Sequence, residues 1–318
     1  MPTAPPTRAA RRRRIVRRRR AVAGALSVVI VAALTVGVFG FVRSIGERGE
    51  VPAADAAAAV TDVRESSPPS TPTDAPTFDT AAAADAAMAV LADYSDAARP
   101  TEDALYTAAE KLRAATTSAE ADAAKTETDT AVAAVQADAE AYRAQLVTAS
   151  AGKNTQPTNG DVAAQMAYLH QYVFQYNSAE WGDYNAYGGD CTNFVSQGLI
   201  ARGWKTDRSW YSKGAMWTAS KPWIATAAMG SYFDKLGFSY STEADLDRVR
   251  VGDVGIFSWG ETQAGWDHTM TVSKVEYVPG GPPIVSFISH NYDGEYRELT
   301  NALYVEHQNS TTRIYHIP

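Results

Sequence analysis

The C-terminal half of the chain predicts an α+β domain, and three observations carry that reading. Val162, Met166, Leu169, Val173 and Tyr176 recur at helical spacing on one face of Asp161–Trp181. A second amphipathic run, CTNFVSQGLI, begins at Cys191. Strand-like alternation then takes over at Arg250–Ser258, Asp267–Tyr277 and Pro282–Asn291, with Pro279-Gly280-Gly281-Pro282-Pro283 as the turn of an antiparallel hairpin. The expected architecture is N-terminal helices packed on an antiparallel sheet over 159–318, a span of common domain size. All seven tryptophans follow residue 180, which puts the aromatic core in this half.

Composition sets the wider limits. A hydrophobic content of 45% in 318 residues excludes a wholly disordered chain, and a single cysteine excludes a disulfide-stapled scaffold. The net charge of -7 conceals a split. Residues 1–42 hold nine arginines and no acid, so the rest carries 20 basic and 36 acidic residues, a net of −16. An acidic body argues against a nucleic-acid partner, because phosphate binding depends on Lys and Arg.

Residues 1–20 read as a basic cytoplasmic tail leading into a charge-free run at 21–42, AVAGALSVVIVAALTVGVFGFV. As a helix this run spans about 33 Å, against a hydrocarbon core of about 30 Å. It is therefore expected to be a single transmembrane helix or signal anchor. The basic cluster orients it with the N-terminus cytoplasmic and the bulk of the chain extracytoplasmic. Small residues at Val51–Ala56 leave open the alternative of a secreted protein after signal cleavage.

Residues 43–80 are polar and proline-interrupted and read as a disordered linker. Residues 81–150 are rich in alanine with Asp, Glu and Thr. They predict two or three slender helices, a hairpin or coiled coil, broken near Arg99-Pro100-Thr101 with Thr101 as the next cap. Leu105, Leu112, Val132, Val135, Tyr142 and Leu146 give only a thin apolar stripe, so this piece is expected to be a stalk holding the domain off the membrane. Residues 151–159 look like a second linker.

The chemistry concentrates at Cys191. Gly188-Gly189 breaks regular structure and Asp190 is a good N-cap, so the thiol falls in the first turn of a helix. Unpaired N–H groups and the positive end of the helix dipole there favour a thiolate and could hold a tetrahedral oxyanion. A lone cysteine is more often a small buried hydrophobe, so the assignment needs a base. His268 and His290 sit at the open end of the expected hairpin, and their even numbering puts them on one face if the register is even. Cys191 as nucleophile, His268 as base and His290 as its orienter make a catalytic arrangement, with Asn291 the rival for the third place.

Tyr184 and Tyr187 are candidates to donate to the oxyanion, and Trp266 is the tryptophan best placed to wall a cleft. The remaining tryptophans are expected in the core, Asn193 and Gln197 as local hydrogen-bonders, and His170, His307 and His316 as structural. No CxxC or HExxH is present, so neither a metal nor a cofactor is expected.

The blocks GDCTNFVSQGL (189–199), VGDVGIFSW (251–259), DHTMTVSKV (267–275), ISHNYD (288–293) and RIYHI (313–317), in this order, resemble the putative amidase domain family. That family is similar to the papain-like clan of cysteine amidases and cell-wall peptidases, related to CHAP and NlpC-type hydrolases. The resemblance covers about 160–318 and implies a papain-like α+β domain with catalytic Cys191 and His268, and His290 as third member. It implies hydrolysis of an amide through a thioester, and the exported address makes peptidoglycan stem peptides or another peptide the expected substrate. The tryptophan-rich stretch from Trp204 to Trp223 is uneven in pattern and departs from the family. A different class of function, a catalytically silent cell-wall-binding module on a helical stalk, would use the tryptophan surface and leave Cys191 idle. Oligomeric state is not legible.

Overall fold

The structure, a computed structural model, describes residues 74–150, 156–157, 159–263 and 265–318. The expected tail, the charge-free run at 21–42, most of the linker at 43–80 and most of the one at 151–159 lie outside the described residues. Among the described residues no helix is long and apolar enough to cross a membrane.

The alanine-rich piece forms three helices, α1 (Thr80–Ala89), α2 (Arg99–Ala114) and α3 (Ser118–Ser150). Asp79 caps α1 by accepting from the Ala82 N–H at 2.9 Å. Pro100 stands in the first turn of α2, where a missing N–H has no intrahelical partner to lose, and Thr101 lies inside the helix rather than capping it. The thin stripe closes on itself: Leu105, Leu112 and Val135 are fully buried among alanines, whose small side chains let the helices approach.

These helices do not stand apart as a stalk. Arg99 of α2 donates to the Val278 carbonyl in the hairpin turn and lies over the Tyr277 ring. Asp103 accepts from the Tyr277 hydroxyl at 2.8 Å and from the Gly280 N–H at 3.0 Å. Arg248 pairs with Asp138 of α3 at 3.0 Å and lies over Tyr142. The stripe therefore needed little apolar width, because polar contacts hold the helices against the sheet domain.

That domain is α+β. Helices α4 (Val162–Tyr172), α5 (Ser178–Trp181), α6 (Cys191–Ala201), α7 (Lys221–Ile224) and α8 (Thr226–Leu236) precede or flank six strands. The strands are β1 (Tyr240–Ser241), β2 (Val254–Ser258), β3 (His268–Glu276), β4 (Ile284–Ser289), β5 (Gly294–Glu298) and β6 (Thr311–Tyr315), ordered β1-β6-β2-β3-β4-β5 and antiparallel throughout. The single opening helix expected over 161–181 is two, since α4 ends at Tyr172.

Alternation along the strands sorts residues onto two faces. Val254, Ile256 and Tyr315 face the helices and pack with Val195, Leu199, Met229, Phe233, Trp204, Trp210 and Trp223. Phe257, Met270, Val272, Phe287 and Ile314 face the other way, under Leu246, Val249 and a helical segment at 299–306. Helix α6 is the pivot of the first face: every residue from Cys191 to Leu199 is buried, its polar side chains Thr192, Asn193, Ser196 and Gln197 each finding a hydrogen-bond partner. Gly198 makes this possible, because a Cβ there would meet Leu169 of α4 at 2.9 Å.

The hairpin of β3 and β4 carries a β-bulge. Glu276 pairs Ile284, Val275 pairs Val285 and Lys274 pairs Ser286, after which the register shifts so that Val272 pairs Phe287 and Thr271 pairs Ile288. The extra residue, Ser273, reverses which residues of the two strands share a face from there to the open end.

Candidate active site

Cys191 opens α6 where β3 and β4 part. The β3–β4 ladder ends at Thr271 and Ile288, and the helix N-terminus meets Thr269 of β3 and Asn291 just beyond β4. Asn291, just beyond β4, holds it there: its Oδ1 accepts from the N–H groups of Asp190 and of Cys191, the latter at 2.9 Å. The cap of α6 is thus supplied from across the fold, and Asp190, the expected cap, makes no side-chain capping bond. Gly189 is required at this contact. Its φ is 121°, and a Cβ would meet Asn291 Oδ1 at 2.9 Å.

The sulfur lies among hydroxyls. Thr192 Oγ1 is 3.8 Å away and Thr226 Oγ1 4.0 Å, and Thr269 Oγ1 joins both, at 3.1 and 2.9 Å. The Thr269 backbone N–H, in the peptide that follows His268, also donates to the sulfur. Burial pushes the Cys191 thiol up from its ordinary value, and these donors oppose that rise. The resting group is therefore the thiol.

The two nominated histidines do not share a face. His290 follows Ile288 onto the helical face, where its ring stacks between Phe194 at 3.7 Å and Tyr176 at 3.6 Å. Its Nε2 faces the Tyr172 carbonyl at 2.9 Å and must donate to it, since a carbonyl only accepts. Its Nδ1 bonds Asp190 Oδ2 at 2.7 Å, while Asp190 Oδ1 accepts from Tyr184 N–H and Asn193. Both nitrogens of His290 are spent, Nδ1 on the residue before Cys191 and Nε2 on the end of α4, and it does not orient His268.

His268 pairs across β2 with Phe257, on the opposite face. Its ring stacks on Trp259 at 4.5 Å, and its Nε2 is buried without a hydrogen-bond partner among the described residues. Burial first, then the charges of Arg297 and His307, push its pKa down to about 3. Neither histidine hydrogen-bonds Cys191. The bulge at Ser273 is the physical reason: with the register of the turn maintained, both rings would have faced one side.

The remaining expectations divide. Tyr184 is buried, its hydroxyl accepts from the Trp217 N–H at 3.3 Å, and burial raises its pKa. Tyr187 is exposed. Trp266 packs on the helical-face core with Arg313 over its ring, away from the His268 ring, so it walls no cleft beside that histidine. Asn193 accepts from Trp223 Nε1 and Gln197 from Tyr168, the local roles expected of them. Sequence reasoning missed Thr226 and Thr269 around the sulfur, because isolated threonines carry no local signal. It also missed the Asp190–His290 bond, which the adjacency of Asp190 to Cys191 could have suggested.

Residues 159–315 match the putative amidase domain family. The amidase domain thus includes α4 to α8 and all six strands and leaves α1 to α3 outside, and it points to hydrolysis of amide bonds. No curated protein and no solved structure matches the chain.

Proposed function

We propose that the amidase domain is a cysteine hydrolase in which Cys191 attacks the carbonyl carbon of a peptide amide. The thiol proton passes to His268, the S–C bond forms, and the C–N bond breaks as His268 returns the proton to the leaving amine. Water then cleaves the thioester, releasing the acid and the free thiol. The observation that carries this reading is the sulfur's position at the start of α6, against the very peptide that joins His268 to Thr269. His268 begins β3, beyond the end of the β3–β4 ladder, so within the sheet it is paired with β2 alone. Engagement requires this first residue to turn around the strand end toward the sulfur, a movement that also takes the ring out of the burial that holds its pKa at about 3, so that it can accept the thiol proton.

The basic run and charge-free stretch at 8–42 support placing the domain on the outer side of a membrane, anchored by 21–42. Stem peptides of peptidoglycan are then accessible substrates. Incubating the protein with isolated cell-wall fragments and following new amino and carboxyl termini by mass spectrometry tests the reaction. Cleavage abolished by Cys191→Ala is expected, and cleavage that survives it would overturn the assignment.

A further inference from the structure

We propose that Trp217 and Tyr187 form a recognition platform beside Cys191 that takes a large apolar side chain of the substrate residue flanking the scissile amide. The inference rests on Cys191 being the nucleophile, and extends that reading to specificity. The seven tryptophans are not alike. Trp204, Trp210 and Trp223 are fully buried core, whereas Trp217 is 63% exposed. It also sits at φ 68°, a left-handed conformation that bulky residues rarely adopt. A tryptophan held outward in a strained backbone is not accounted for by packing, and such strain concentrates at ligand-contacting sites.

The surroundings tie this residue to the thiol. Trp217 N–H donates to the Tyr184 hydroxyl, and Tyr184 N–H donates to Asp190 Oδ1 at 3.0 Å, one residue before Cys191. The Trp217 ring meets Tyr184 edge-on at 6.0 Å and Tyr187 edge-on at 4.6 Å. Tyr187 is itself 59% exposed, and four residues of chain limit its distance from Cys191 to about 14 Å. Two exposed rings set at 76° make a step with apolar faces and one phenolic hydroxyl. Among the described residues no cation lies over either ring, so the step selects by shape and apolar area rather than by charge.

The test is direct binding to the full chain carrying Cys191→Ala, so that turnover plays no part. Two tripeptide amides, identical except for phenylalanine or glycine at the central residue, are titrated by calorimetry. The phenylalanine peptide is expected to bind at least tenfold more tightly, and Trp217→Ala or Tyr187→Ala to erase that ratio while leaving the glycine peptide's Kd unchanged. An unchanged ratio in both variants, equal weakening of both peptides, binding of neither, or binding only of an N-acetylglucosamine oligomer would overturn the platform. Turnover by the wild-type chain reports separately on Cys191: activity that persists in Cys191→Ala removes the nucleophile reading and leaves the binding result standing.

Discussion

The two faces of the sheet hold one nominated histidine each and treat it in opposite ways. On the helical face, His290 is clamped between two aromatic rings, with both nitrogens bonded. On the other, His268 is equally buried but leaves Nε2 without a partner and is held in the neutral form, its pKa depressed to about 3. A buried polar atom left unpaired costs about 1–3 kcal/mol, and packing alone gives no reason to keep it. The difference is consistent with the proposed division of labour, in which His290 holds the turn and His268 serves as the base. His290 fixes the turn that presents Cys191, and His268 is the ring with a free nitrogen.

Substitutions that separate the two roles test this contrast. His268→Phe retains a flat ring on Trp259 and removes the unpaired nitrogen. Amide turnover is expected to fall by about 10²–10⁴-fold, the usual contribution of a general base, with thermal stability unchanged or higher. His290→Leu is expected to act the other way. It strands the buried Asp190 carboxylate and should cost about 3 kcal/mol in denaturant unfolding. If His290→Leu left stability intact and His268→Phe unfolded the domain, the contrast would be reversed.

Acid provides a gentler probe of the same ring. The folded pKa of His268 lies below its unfolded value near 6.5, so the unfolded chain binds the extra proton between about pH 6.5 and 3. Stability attributable to His268 is fully present above 6.5 and is lost as pH falls toward 3. Lowering the pH from 6 to 4 should remove about 2 kcal/mol more from the wild type than from His268→Phe, read from unfolding curves at each pH.

The smallest effect is expected where α2 meets the sheet domain. Burial raises Glu102 to about 7 against the opposing pull of Arg99, so its contribution is complete below pH 4.5 and is lost as pH rises through 7. Glu102→Gln should remove that loss, stabilising the chain by on the order of 1 kcal/mol at pH 8 once partial screening is allowed for.

Much of this was legible in the residues. The three strands at 250–258, 267–277 and 282–291, the helix beginning at Cys191 and the three alanine-rich helices follow from periodicity and from Gly and Pro punctuation. The side of the sheet that each histidine faces was not. It depends on one extra residue in β3, and nothing in SKVEY marks Ser273 as a bulge. The docking of α1 to α3 was hidden for a similar reason, since the side chains that hold it, Arg99, Asp103 and Arg248, look like ordinary solvated charges until their distant partners are known. Trp217 was indistinguishable from the buried tryptophans around it, because exposure is not written in residue type.

The most direct measurement of the central assignment is the mass of the acyl-enzyme. The protein is mixed with p-nitrophenyl acetate, quenched in acid and digested. An acetyl group on the peptide containing Cys191, removable by hydroxylamine and absent from Cys191→Ser under the same quench, is the predicted result. Acetyl found only on other residues, with Cys191 unmodified while nitrophenol is released, would contradict it.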